Sequence, residues 1–236
     1  MIPTPPSVQE PSPAFAAQRL AEAARYTLLR RLAPSMRHHL VVNLQPIGMI
    51  YEVMDRRLKA PQPDLADVHD SAHKINGFAK AALHSCLDIV TWLAPDEDVP
   101  TTAEAGVREC LGLVATSLTF RGYNLRDEVG SVAGEVRRCA IRTVLTAALI
   151  HATDHTPATA DLALAGEAAP AGLALSLTVR PTGGEPSFIA EPPYRRLEWA
   201  DLEALAAAEG VVVTRESPSL LRLLLPWAAP VAGTGA

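Results

Sequence analysis

Arg37-His38-His39-Leu40-Val41-Val42-Asn43-Leu44-Gln45-Pro46-Ile47 lies in the middle of a helical pattern running from about Phe15 to Lys59. Leu40, Leu44, Ile47, Tyr51, Met54 and Leu58 recur at steps of three and four, the seam of a helix packed against other helices. Each residue turns a helix by about 100°, so residues two positions from the seam point roughly the opposite way. His38 stands two after Met36 and two before Leu40 and is expected to face solvent, with His39 nearer the edge of the seam. An exposed imidazole followed on its own face by apolar residues is a plausible reactive site. Pro34 and Pro46 fall inside the pattern. Each removes a backbone donor and predicts a kink, and Pro34 alternatively marks a break between two helices.

Working outward, Ala60-Pro61-Gln62-Pro63-Asp64 stops this helix, and a second runs from about Asp64 to Leu93 with Leu65, Val68, Ile75, Phe78, Leu83, Leu87 and Val90 among its apolar residues. Two such helices with a short connection form an antiparallel hairpin. A lone hairpin leaves an apolar stripe open, and two copies close it as a four-helix bundle, so a homodimer is expected. After a linker at Ala94 to Thr101 the pattern changes. Helices are expected at Thr102–Phe120, Val136–His151 and Leu197–Glu209, with Gly210 ending the last. Strands are expected at Tyr123–Val129, Ala160–Ala165, Leu173–Arg180, Val211–Arg215 and Leu220–Leu225, with a turn at Gly183-Gly184-Glu185-Pro186. The class is therefore α+β: a disordered tail over 1–13, a helical hairpin over 14–94, a two-layer α/β sandwich with short antiparallel returns over 102–227, and a frayed tail over 228–236.

Composition narrows the setting. The 236 residues are 48% hydrophobic and 20% charged, enough for one large domain or two small ones. Cys86, Cys110 and Cys139 are scattered and odd in number. They read as reduced thiols of a cytoplasmic protein, with neither a disulfide framework nor a metal pattern. The proline-rich start lacks the apolar run of a signal peptide, and no window has the length to span a bilayer, so no membrane partner is expected. The net charge of −5 argues against bulk nucleic-acid binding. Phe15 to Lys59 nevertheless holds eight basic residues against three acidic ones, so the remainder carries −10. That basic helix suits an acidic partner surface or a phosphoryl group, or is simply a solvated face.

With His38 as origin, Leu40, Leu44 and Ile47 stand at +2, +6 and +9. This spacing, followed by the hairpin, linker and α/β order, resembles the core of a sensor histidine kinase: a dimerising hairpin bearing a phospho-accepting histidine, then an ATP-binding-type sandwich. Several departures mark this chain. The acidic residue that follows the histidine in the kinases is here His39, and the Thr or Asn at +4 that the phosphatase pattern needs is Val42. The asparagine-rich helix corresponds to Thr146-Ala147-Ala148-Leu149-Ile150-His151-Ala152, with Ala147 and His151 where asparagines are expected to hold Mg²⁺ and phosphates. Pro181-Thr182-Gly183-Gly184 lacks the Asp of the first glycine motif, and Pro186 to Trp199 lacks a Gly-x-Gly cradle.

Three missing nucleotide devices make the chain most similar to the dimeric histidine phosphotransferases, which pass phosphoryl groups between receiver domains and keep a degenerate ATPase-like domain as part of the docking surface. The resemblance implies His38 as phospho-acceptor, His39 as rival acceptor or neighbour, and Arg37 as charge compensation. It implies no cofactor of its own, Mg²⁺ supplied by the partner's receiver domain, and response-regulator receivers as partners. Val41, Val42, Gln45 and Met49 lie on or beside the His38 face and read as an apolar docking patch, or as packing beneath the α/β domain. An ordinary imidazole is largely neutral at pH 7, so such a transfer does not require a base at His39. A non-catalytic dimer that sequesters a regulator, and a kinase with an atypical nucleotide site, are the other functions compatible with the sequence. The pairs His69/His73 and His151/His155 have i,i+4 spacing but nothing to complete a metal site, and read as helix-surface histidines. Ser117 and Ser217 lack a nucleophile's context; Trp92, Trp199 and Trp227 read as packing residues.

Overall fold

The computed structural model describes residues 12–95, 99–184 and 194–229. Helix α1 runs unbroken from Pro13 to Leu58, capped by Ser12, whose Oγ accepts from the Phe15 amide, and entered by Pro13, where no backbone donor is needed. The break that Pro34 alternatively marked is absent, and Pro13 belongs to the helix rather than to the tail. A proline costs one hydrogen bond, and the buried Ala24, Thr27, Leu28, Leu32 and Met36 that flank Pro34 on both sides hold the helix together. α2 (Leu65–Leu93) starts at Asp64, whose carboxylate accepts from the amides of Ala66 and Asp67. Contacts of Asn43 with Ser85 and of Arg57 with Asp67 set an antiparallel register between the two helices.

The rest of the chain follows as β1 (Pro100–Thr102), α3 (Ala103–Phe120), β2 (Tyr123–Glu128), β3 (Glu135–Arg137), α4 (Arg138–His155), β4 (Ala160–Ala169), β5 (Gly172–Pro181), α5 (Trp199–Ala208), β6 (Val212–Ser217) and β7 (Leu220–Pro226). The main sheet has the order β2-β4-β5-β7-β6; β1 and β3 form a separate antiparallel ribbon. Leu162 and Leu164, then Leu173, Leu175, Leu177 and Val179, then Leu221, Leu223 and Leu225 alternate inward and are buried. Each such side chain contributes about 1.5–3 kcal/mol through burial. α4 is buried from Cys139 to Asp154, sandwiched between sheet and helices, which explains an apolar surface with no clear stripe.

Three expectations need correction. Val136 is not in a helix: Glu135–Arg137 pairs with Pro100–Thr102, and the helix begins at Arg138 and runs on to His155. Local pattern does not reveal a three-residue strand whose partner lies 35 residues away. Not all returns are antiparallel, since β2 and β4 are parallel, a pairing that needs the crossover that α4 supplies. Ala228 is not frayed, because its amide donates to Glu135 O at 2.7 Å.

The hairpin seam is also only partly covered. Leu40, Ile47 and Met54 are half-buried, whereas Leu44, Tyr51 and Leu58 are about half exposed, as are Leu83, Leu87, Val90 and Leu93 on α2. The leading half of α1 has a separate role: its buried face packs on α5 and contributes to the same core as the α/β elements.

Candidate functional site

α1 carries the histidines. His38 is exposed and its ring makes no hydrogen bond or ion pair with any described residue; His39 is half-buried, its ring centroid 6.4 Å from that of His38. Arg37 is exposed, without a carboxylate partner among the described residues. Val41, Val42, Gln45 and Met49 follow His38 at +3, +4, +7 and +11, one helical face, and all are exposed, Met49 at 62%. Val41 and Val42 therefore do not pack beneath the α/β domain. The arrangement presents an exposed imidazole with the exposed Val41, Val42, Gln45 and Met49 along its own face, and Arg37 as the preceding residue of the helix.

The second location is the C-terminal end of α4, where it meets the segment around Leu197. Ala147 is fully buried and His151 is 4% exposed. His151 is thus no surface histidine: Nδ1 lies 2.8 Å from Leu197 O and Nε2 2.9 Å from Arg215 Nη2. Arginine only donates, so Nε2 accepts and Nδ1 carries the proton. Burial pushes the His151 pKa down; the charges of His155 and Arg215 add to this, while the Leu197 and Glu198 oxygens oppose it. His155 Nε2 reaches the same Leu197 carbonyl at 3.1 Å and lies 3.4 Å from Glu198. Arg215 stacks on Trp199, 4.4 Å from the ring centroid.

Asp154 is held too. Arg31 of α1 donates to both its oxygens at 2.6 Å, and the Leu197 amide donates to Oδ2 at 2.9 Å. The backbone at Leu197 is thereby laced to α4 through three side chains. A cavity of about 320 Å³ remains beside it, lined by His151, His155, Val179, Trp199, Arg215 and Leu221 among others. None of its lining residues is an asparagine or glutamine, and among the described residues no group of three His, Cys, Asp or Glu is placed to hold a metal ion. Of the stretch expected to lack a glycine cradle, residues 186–193 lie outside the described residues.

A third polar cluster joins the hairpin to the domain. Arg142, 3% exposed, donates to Glu109 (2.6 Å), Thr91 (2.7 Å) and Asp88 (2.7 Å) and stacks on Trp92. Arg138 forks onto Glu109 at 2.8–3.1 Å. Burial works to raise the Glu109 pKa, but the two guanidinium groups outweigh it and hold the carboxyl below its ordinary range. Neither this cluster nor the Arg31 node was anticipated from sequence. The i,i+4 pair Arg138/Arg142 with Glu109 was the available signal for the former.

His69 and His73 are exposed on α2 as expected, and Trp92 is buried. Among the described residues no helix is long and apolar enough to cross a membrane.

No protein-family model and no curated protein matches the chain. Among solved structures it is similar to the catalytic domain of histidine kinase ThkA, with 14% identity over 56% of this chain and 97% of that one (TM-score 0.44). It is also similar to the Acinetobacter baumannii histidine kinase AdeS, with 15% identity over 78% of this chain and 98% of that one (0.42). A bacterial phosphotransferase aligns at 13% identity over 93% of this chain and 100% of that one (0.41). At these scores the likeness bears on neither substrate, nucleotide nor partner.

Proposed function

We propose that the chain is a histidine phosphotransferase that relays a phosphoryl group between His38 and the aspartates of receiver domains, as a homodimer and without binding ATP. The observation that carries this reading is the unencumbered His38 ring at the head of the exposed strip Val41, Val42, Gln45 and Met49. A ring nitrogen of His38 attacks the phosphorus of an aspartyl phosphate, and the P–O bond breaks with its electron pair going to the departing carboxylate. The histidine then carries the phosphoryl group and Arg37 offsets its charge. Return to a second receiver reverses these steps. Mg²⁺ comes with the receiver.

The α4 face supports the absence of a nucleotide step. A magnesium–nucleotide needs oxygen ligands and amides turned toward phosphates, but Asp154 is consumed by Arg31 and Leu197, and His151 by Leu197 and Arg215. The open apolar stripe of Leu44, Tyr51, Leu83, Leu87 and Val90 supports the dimer.

The test mixes the protein with several phosphorylated receiver domains and follows label. Acid-labile, base-stable phosphate on wild type that is lost in His38→Ala and kept in His39→Ala is expected. Label that persists in His38→Ala overturns the assignment. Receiver binding without any label supports a sequestering dimer instead, and label drawn from ATP with Mg²⁺ supports a kinase.

A further inference from the structure

The α/β domain is attached to the hairpin by the Arg25–Glu209 pair at 2.6 Å and by two more extensive polar nodes. In one, Arg31 of α1 meets Asp154 of α4 in a fork whose side chains are 4% and 0% exposed, and Asp154 also receives the Leu197 amide. In the other, Arg142 of α4 reaches Asp88 and Thr91 of α2. These two nodes engage different helices of the hairpin, α1 and α2.

A buried ion pair adds little net stability over an apolar pair of the same volume, because desolvation offsets the attraction. What a guanidinium–carboxylate fork does fix is angle as well as distance. Arg31 is also seven residues before His38 and fourteen before Gln45 on one unbroken helix. Seven residues are about 10.5 Å of rise and return the side chain to within about 20° of the same direction. The side of α1 that holds the α/β domain at Arg31 therefore continues, two turns on, as the exposed strip that begins at His38.

We infer that Arg31 is a positioning residue: with Arg142 it clamps the α/β domain in one orientation, so that the domain stands as a fixed wall beside the His38 strip and a receiver docks against both. The docking part of this inference rests on the phosphotransfer reading; the clamp does not.

Two measurements separate them. The first is the distance between spin labels at the exposed Lys80 and Glu203 in a Cys86→Ser background, diluted with unlabelled protein. It is expected to give one narrow distribution that broadens in Arg31→Leu/Asp154→Asn, where the asparagine keeps an acceptor for Leu197. An equally broad distribution without the double substitution overturns the clamp, whatever the receivers do. The second is transfer from a phosphorylated receiver that labels wild type. The double variant is expected to raise KM at least tenfold with kcat within threefold, while chemical phosphorylation of His38 by phosphoramidate stays within twofold. Arg31→Lys, which keeps the charge, is expected to recover most of the KM. An unchanged KM in a folded double variant overturns the positioning role. If no receiver labels wild type, the phosphotransfer reading fails and the docking half falls with it, while the label distances still decide the clamp.

Discussion

Asn43 and Ser85 face each other across the hairpin: Asn43 Nδ2 donates to Ser85 Oγ at 3.1 Å and to the His39 carbonyl, one turn back on α1, at 3.0 Å. The bond pins α2 to the helix segment that carries the histidines. Ser85→Ala is expected to lower stability by about 1 kcal/mol, the usual net worth of such a bond, measurable by urea titration. Because His38 points away from α2, its chemical labelling is expected to stay unchanged.

The open stripe of the hairpin predicts self-association. Leu87 is 58% exposed in the single chain and lies between the exposed Leu83 and Val90. Leu87→Glu places a charge where apolar surface would be covered, and is expected to weaken the dimer at least tenfold in sedimentation velocity while leaving the far-ultraviolet spectrum of the helices in place. A monomeric wild type would remove the four-helix-bundle expectation.

His151 predicts an acid-side loss of stability. Its folded pKa is depressed below 6.5, chiefly by burial, with His155 and Arg215 adding to it and the Leu197 carbonyl and Glu198 opposing. The unfolded chain then binds more protons than the folded one in the window just below pH 6.5, so stability falls as pH drops through it. The contribution is complete above that pH. His151→Asn, which cannot gain this proton, is expected to flatten the pH 5–7 segment of the unfolding free energy.

Gly172 opens β5, and an added Cβ would overlap the Leu225 carbonyl of neighbouring β7. Main chain cannot rotate away as a side chain can. Gly172→Ala is therefore expected to cost roughly 1–3 kcal/mol, the usual range for overpacking, whereas alanine at Gly112, which meets nothing within 4 Å, should not destabilise.

Much of this fold was legible because its signals are local. Two long helices with a proline turn, and alternating strands such as Leu173–Arg180, follow from periodicity alone. The exposure of His38 followed from its offset from Leu40 and Met36. What sequence did not carry was pairing at a distance. Val136 reads as helix until Thr101 is placed beside it, and Pro34 reads as a kink or alternatively a break until Leu32 and Met36 of one helix are seen buried on either side. His151 reads as a surface residue because its partners, Leu197 and Arg215, lie 46 and 64 residues downstream. The four-residue step Ala24, Leu28, Leu32, Met36 was present in the sequence, but the face it predicts belongs to a different partner from the seam that begins at Leu40.

That handover along α1 has a thermodynamic consequence. Ala24, Leu28, Leu32 and Met36 share one continuous core with Leu149, Leu202 and the strands, and Trp92 at the end of α2 joins it. The change of pattern near residue 100 thus divides the sequence but not the folding unit. A fragment starting at Val99 would expose the α5 face that α1 now covers, and the full chain is expected to melt in a single calorimetric transition, hairpin and sandwich together.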